Sequence, residues 1–95
     1  MKRYRISSLA RLDLDEIHDY IAIDKPVAAQ RWLKKTMDQF LWLTKNPLSG
    51  EARDDIRPDL RSISHGSYVI FFRSREEYLE IVRVLHGDRD TRGLL

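Results

Sequence analysis

The sequence predicts an α+β domain of element order β-α-α-β-β-β, with an antiparallel helix hairpin packed on a mainly antiparallel, four-stranded sheet. Three observations lead there. Apolar residues recur at helical spacing in two stretches between residues 8 and 45, β-rich segments fill the second half, and the breaks between elements are short. The 95 residues fit one domain, 1–95, with no room for a second core. Size scaling has a chain of this length bury about 65% of its unfolded surface, enough for one two-layer core.

Lys2 to Ser7 alternates, with Tyr4 and Ile6 pointing one way and Arg3, Arg5 and Ser7 the other, as in a half-buried strand. Ser8 is the expected N-cap of a helix running to about Asp24. Along it Ala10, Leu14, Ile17 and Ile21 share one face, with Tyr20 at its flank. Lys25-Pro26 ends that helix, because the residue before proline is pushed out of the α region. Pro26 suits the first turn of the next helix, where a missing N–H is harmless. Ala29, Leu33, Thr36, Met37, Phe40 and Leu43 form its buried stripe, with Trp32 at the edge. Arg31, Lys34, Lys35, Asp38 and Lys45 gather on the other side. Trp42 falls inside that polar cluster, where amphipathic patterning does not account for it. The helix should stop near Lys45–Asn46, before Pro47.

Pro47 to Pro58 is polar and reads as a loop. Three strands follow: Leu60 to His65, Ser67 to Ser74 and Tyr78 to Leu85. Gly66 marks a tight connection, and Arg75-Glu76-Glu77 the next hairpin loop. The unbroken apolar run Tyr68 to Phe72 predicts a central strand buried on both faces. Alternation sets Arg83 on the face of Leu79, Ile81 and Leu85. The pairing partner of the first strand cannot be read from the pattern.

Composition narrows function by exclusion. With 17 Lys and Arg against 15 Asp and Glu, the net charge of +2 is too balanced to argue nucleic-acid binding. The absence of cysteine removes disulfides, thiolate catalysis and Cys-ligated zinc. No apolar run approaches membrane length and no apolar signal segment follows the basic N-terminus, so a cytoplasmic chain is expected. Charge is distributed in blocks. Leu12 to Asp24 holds five acids and no base, whereas Lys25 to Lys45 holds five bases and one acid. Two adjacent helices of opposite sign, solvated outside and mutually attractive, are the expectation.

Chemical motifs are sparse. His18, His65 and His86 lie far apart without metal-ligand spacing, and no glycine cluster forms a phosphate loop, so neither metal nor cofactor is expected. Asp54-Asp55 and Glu76-Glu77 fall in loops and read as solvated. The ending His86-Gly87-Asp88-Arg89-Asp90 is different, because a strand that stops at His-Gly presents its last side chain on a rim. There His86 could exchange protons near neutrality and Arg89 could hold an anion bidentately. The plainer alternative has Gly87 make a turn and Arg89 pair with Asp90 or Asp13 to lock the tail. Arg57, Arg61, Arg73 and Arg83, with Arg3 and Arg5, are a candidate basic sheet face, although aromatic residues interleaved with them are few.

Several motifs together resemble the RelE/ParE toxin superfamily of type II toxin–antitoxin modules, and its ParE branch in particular. They are Ala10-x-x-Asp13-Leu14-x-x-Ile17-x-x-Tyr20-Ile21, Pro26-x-Ala28-Ala29, Phe40-x-x-Leu43, Asn46-Pro47-x-x-Gly50, Tyr68-Val69-Ile70-Phe71-Phe72, and Arg83-Val84-Leu85-His86-Gly87-x-Arg89-Asp90. They span nearly the whole chain, and the family's element order is the one read above.

Resemblance to ParE implies a toxin that poisons DNA gyrase and is neutralised by a co-encoded antitoxin. Resemblance to RelE implies a ribosome-dependent mRNA endonuclease. Every lysine lies in the first half and no tyrosine follows Tyr78, which departs from the RelE pattern of lysines on the sheet and a tyrosine near the C-terminus. A related group uses Glu, Arg and His, so Arg61, Arg83 and His86 keep the nuclease alternative open. A third reading is an interaction module that has lost toxicity. The expected partners are therefore the cognate antitoxin, through a C-terminal segment that wraps the toxin, and DNA gyrase, with no membrane. Nucleic acid is contacted only indirectly unless the nuclease reading holds. Trp42, His86 and Arg89 are the candidate partner-binding residues. The alternative for Trp42 is an ordinary surface aromatic or one covered by the tail Leu94-Leu95.

Overall fold

The computed structural model describes residues 3–95, so Lys2, included in the expected first strand, lies outside them. The described chain runs β1 (Tyr4–Ile6), α1 (Ser8–Ala22), α2 (Pro26–Lys45), β2 (Glu51–Ala52), β3 (Arg61–His65), β4 (Tyr68–Ser74) and β5 (Leu79–His86), ending in a 3₁₀ turn at Arg92–Leu94. The expected order holds with one addition. Glu51–Ala52, read from sequence as loop, pairs antiparallel with β3 and makes the sheet five-stranded. Two residues in a polar stretch carry no period-two signal, which is why pattern alone passes over them.

The sheet order is β1-β5-β4-β3-β2. β1 lies parallel to β5, with Tyr4, Arg5 and Ile6 opposite Leu79, Glu80 and Ile81, which resolves the pairing the sequence left open. β4 is central, as the apolar run predicts, and both its faces are covered. On one, α1 and α2 contribute Ala10, Leu14, Phe40 and Leu43 against Ile70, Phe72, Leu79, Ile81 and Val84. On the other, Leu60, Phe71 and Leu85 are covered by Ile56 and by Leu94 and Leu95 of the tail. The tail therefore lies across the sheet on the side away from the helices. Trp42, on α2, does not lie beneath it.

The N-cap of α1 is Ser7, one residue earlier than expected. Its hydroxyl accepts from the Ala10 amide at 3.0 Å and donates to the Val82 carbonyl at 2.8 Å. Ser8 is already the first helical residue, whereas Ser7 is still extended, its N–H donating to the Ile81 carbonyl in continuation of the β1–β5 ladder. α2 begins at Pro26 and ends at Lys45, as expected.

A bulge in β5 changes one expectation. Phe71 faces Arg83, but Phe72 faces Ile81, so Val82 is an extra residue and alternation is lost there. Val84, not Arg83, joins Leu79 and Ile81 against the helices, while Leu85 packs in the second cluster. Arg83 consequently does not share a face with Leu79 and Ile81.

Candidate functional site

The most connected polar group in the structure is a clasp between α1 and β5. Because β1 ends at Ile6, the edge of β5 beyond Ile81 has no strand beside it, and α1 covers it instead. The Asp13 carboxylate accepts from Arg83 Nε at 2.7 Å and Nη2 at 2.8 Å, and from the Val84 amide at 3.0 Å. Arg83 Nη1 donates to the Leu94 carbonyl at 2.9 Å, tying in the tail. Both side chains are largely buried, at 12% and 8% exposure. The hydrogen bond to Asp13 holds the guanidinium pKa above its ordinary value, against the opposing effect of burial. Asp13 thus pairs with Arg83 and not with Arg89. The bulge rotates Arg83 into reach of it, and strict alternation hides that outcome from sequence reading.

Of the other arginines considered for a basic sheet face, Arg3, Arg5, Arg61 and Arg73 are also engaged within the molecule. Arg61 donates to the carbonyls of Leu48, Ser49 and Gly50, pinning the chain that leads into β2. Arg73 and Arg75 share Glu80. Arg5 lies over the Tyr78 ring, 4.4 Å from its centroid. Of the three candidate nuclease residues, Arg61 and Arg83 stand on nearly level rows two strands apart, opposite Phe72 and Phe71. His86 stands opposite Tyr68, four residues further along the strands and therefore roughly 13 Å away in that direction. The fold does not bring Arg61 and His86 together.

His86 belongs instead to an aromatic row at the far end of the sheet. His65, Tyr68 and His86 are in register across β3, β4 and β5. Trp32 of α2 lies 5.4 Å from Tyr68 and 6.4 Å from His65, and His86 lies 5.5 Å from Tyr68, all between ring centroids. His86 Nδ1 accepts from the Asp88 amide at 3.2 Å, so its neutral form carries the proton on Nε2. The Thr36 hydroxyl donates its single hydrogen to the Trp32 carbonyl at 2.7 Å, so it accepts from His65 Nε2 at 3.0 Å. Burial, and secondarily the Lys35 charge, lower the His65 pKa below its ordinary 6.5. The sequence signal for this row is the strand-end His86 before Gly87 together with a second such His, His65 before Gly66.

Trp42 is 45% exposed and shares a shallow hollow of about 410 Å³ with Lys35, Asp38, Gln39 and His65. Arg89 lies exposed in the turn after β5, its amide donating to the His86 carbonyl at 3.1 Å. Trp42, His86 and Arg89 are all exposed, but among the described residues no contact joins Trp42 to the other two. Among the described residues no three His, Cys, Asp or Glu side chains form a group that could hold a metal. Nor is any helix of the described residues long and apolar enough to cross a membrane.

Comparison with known proteins is decisive at the level of family. The model of the ParE toxin of type II toxin–antitoxin systems, parDE, matches residues 4–91. This chain belongs to the ParE toxin family. It is 36% identical over 94 residues to Toxin ParE1 of Mycobacterium tuberculosis, covering 94% of this chain and 93% of that protein. It is 31% identical over 99 residues to Toxin ParE1 of Caulobacter vibrioides, covering 100% and 99%. A chain of the chromosomal ParDE system from P. aeruginosa shares the fold, with TM-score 0.76 at 21% identity, covering 90% of this chain and 96% of that one. The ParE match begins at the first residue of β1 and runs to Thr91, just past β5. It therefore takes in both partners of the Asp13–Arg83 clasp.

Proposed function

We propose that this ParE toxin acts in the cytoplasm by binding DNA gyrase and stabilising one enzyme–DNA state, and that a co-encoded antitoxin neutralises it. Membership of the ParE family is the observation that carries the reading. A poison of this kind needs only differential affinity for one state of its target, and no acid–base pair. The engagement of Arg61 and Arg83 within the fold, and their distance from His86, favour such a surface-binding role over phosphodiester cleavage. A supercoiling assay run beside a ribosome-programmed mRNA cleavage assay tests it. Gyrase-linked DNA breaks without mRNA cuts are expected. Cuts in mRNA with normal supercoiling would overturn the proposal in favour of a nuclease, and silence in both would leave a non-toxic interaction module.

The antitoxin is proposed to lay a flexible segment, folding as it binds, over exposed parts of the helix layer and strand edges. Beyond Ser62, β3 has no strand on its outer side, so Ile63 to His65 offer an edge for pairing. Trp42 is the proposed anchor because a half-exposed indole among Lys35, Asp38 and Gln39 gains little from the toxin alone. Trp42→Ala should weaken antitoxin binding more than tenfold by calorimetric titration. An unchanged isotherm removes Trp42 from the interface. His86, at the end of β5, and Arg89, in the turn after it, complete the proposed contacts.

A further inference from the structure

Among the described residues, seven of the eight exposed large apolar side chains lie on the two helices or the turn that joins them. On α1, Leu9, Leu12 and Tyr20, with Ile23 at its C-terminal end, fall at 100° per residue within one arc that also holds Glu16 and Asp19. On α2, Val27, Leu41 and Trp42 share an arc with Arg31, Lys34, Asp38 and Lys45. Both helices bury their opposite sides in the same cluster against the sheet, so the two arcs face outward, that of α1 reaching a hollow where Glu16 and Tyr20 meet Tyr68 and His86, and that of α2 reaching His65 beside Trp42. One helix layer thus presents an apolar stripe flanked by acids next to an apolar stripe flanked by bases.

The opposite charges do not satisfy one another within the chain. Among the described residues no ion pair joins α1 to α2. Lys34 pairs with Asp38 inside α2, and His18 with Asp19 inside α1. The expected mutual attraction of the two helices is not realised as ion pairs among the described residues. A partner of one charge sign would meet like charge on one of the two helices. The partner that fits carries both signs side by side, in reverse order.

We propose that this layer is a self-association surface on which a second copy of the chain stacks about a two-fold axis, α1 of each copy over α2 of the other. A two-fold arrangement makes both complementary contacts at once and covers both apolar stripes. Two helices of about 22 and 30 Å, lying about 10 Å apart, offer roughly 500 Å² per copy. That is below the usual size of stable interfaces, so a micromolar dimer is expected. The pairing stands apart from the gyrase reading. Trp42 belongs both to this surface and to the proposed antitoxin contact, so antitoxin binding should dissolve the pair.

Sedimentation velocity on the free full-length chain, from about 1 to about 200 µM, tests the proposal through charge exchange. Glu16→Lys with Asp19→Lys makes both helices basic, and Arg31→Glu with Lys45→Glu makes both acidic. The wild type should dimerise and each variant alone should stay monomeric. An equimolar mixture of the two variants should recover the dimer, because each then finds its opposite on both helices. Far-UV circular dichroism checks that both variants fold. A monomeric wild type over the whole range overturns the proposal, as does undiminished self-association of both variants. A folded mixture that fails to pair overturns it too. A monomeric wild type whose charge-exchanged variants lose antitoxin affinity assigns the layer to the antitoxin instead. Should a variant misfold, the wild type still decides: its association should weaken at least fivefold in high salt, and salt-independent association refutes the charge argument.

Discussion

Removing the Asp13 carboxylate is the most informative single perturbation of this fold. In Asp13→Ala, the Arg83 guanidinium keeps only the Leu94 carbonyl, and the Val84 amide loses its acceptor in a buried setting. Breaking one side of a buried ion pair typically costs about 3–5 kcal/mol, because the remaining charge is left uncompensated. The Val84 amide is included in that figure and not added to it, since both losses arise from one carboxylate. At roughly 4–8 °C per kcal/mol for a domain of this size, the melting temperature should fall by roughly 12–40 °C. Urea denaturation of Asp13→Ala, Arg83→Ala and the double variant measures the coupling directly. The double variant should be much more stable than the sum of the single losses implies, since it leaves no unpaired charge. Asp13→Asn, which retains an acceptor for the Val84 amide, should fall between wild type and Asp13→Ala. A loss below about 1 kcal/mol in Asp13→Ala, or additive single losses, would falsify the assignment of this clasp as a main tertiary anchor.

Three further perturbations check separate parts of the structure. Ser7→Ala should cost about 1–2 kcal/mol in chemical denaturation through the lost cap, whereas Ser8→Ala should be near neutral, and equal effects would contradict the observed cap. Gly50→Ala should destabilise by about 2 kcal/mol or more, because Gly50 has φ +74° and a Cβ there would collide with the Ser62 carbonyl oxygen. Gly93→Ala meets nothing and serves as the control. For His65 the folded-state pKa lies below the unfolded value of 6.5, so the unfolded chain binds more protons as the solution is acidified. Stability should be fully present above pH 6.5 and decline as pH falls toward the lowered folded value. His65→Gln should flatten that slope in melts between neutrality and mild acidity, and an unchanged slope assigns the titration to other groups.

The elements with strong periodicity were legible from the residues alone. α2 was bounded correctly by Pro26 and Lys45, and the apolar run of β4 located the centre of the sheet. What escaped depends on tertiary contacts that local pattern does not encode. β2 is too short to carry a period, and the β1–β5 pairing joins segments at opposite ends of the chain. The bulge at Val82 reverses the inside–outside sense of the following residues, so an arginine expected beside leucines instead clasps Asp13. Both of those residues stood in the motifs that carried the family resemblance, although their pairing did not. The candidate surface residues were legible only as exposed positions. Trp42 was singled out because it broke an amphipathic pattern, whereas the His65–Tyr68–His86 row required knowledge of strand register.

Parallel pairing of the first strand with the last has a consequence for when this toxin comes into being. The Asp13–Arg83 contact spans a sequence separation of 70 residues, and β1 has no other strand to lie against. Emerging from the ribosome, residues 8–45 carry a helix hairpin whose apolar side has no sheet to meet until β4 and β5 have been made. Such long-range closure slows folding. The folded form therefore arises only after β5 has been made, because neither the β1–β5 ladder nor the Asp13–Arg83 clasp can close before then.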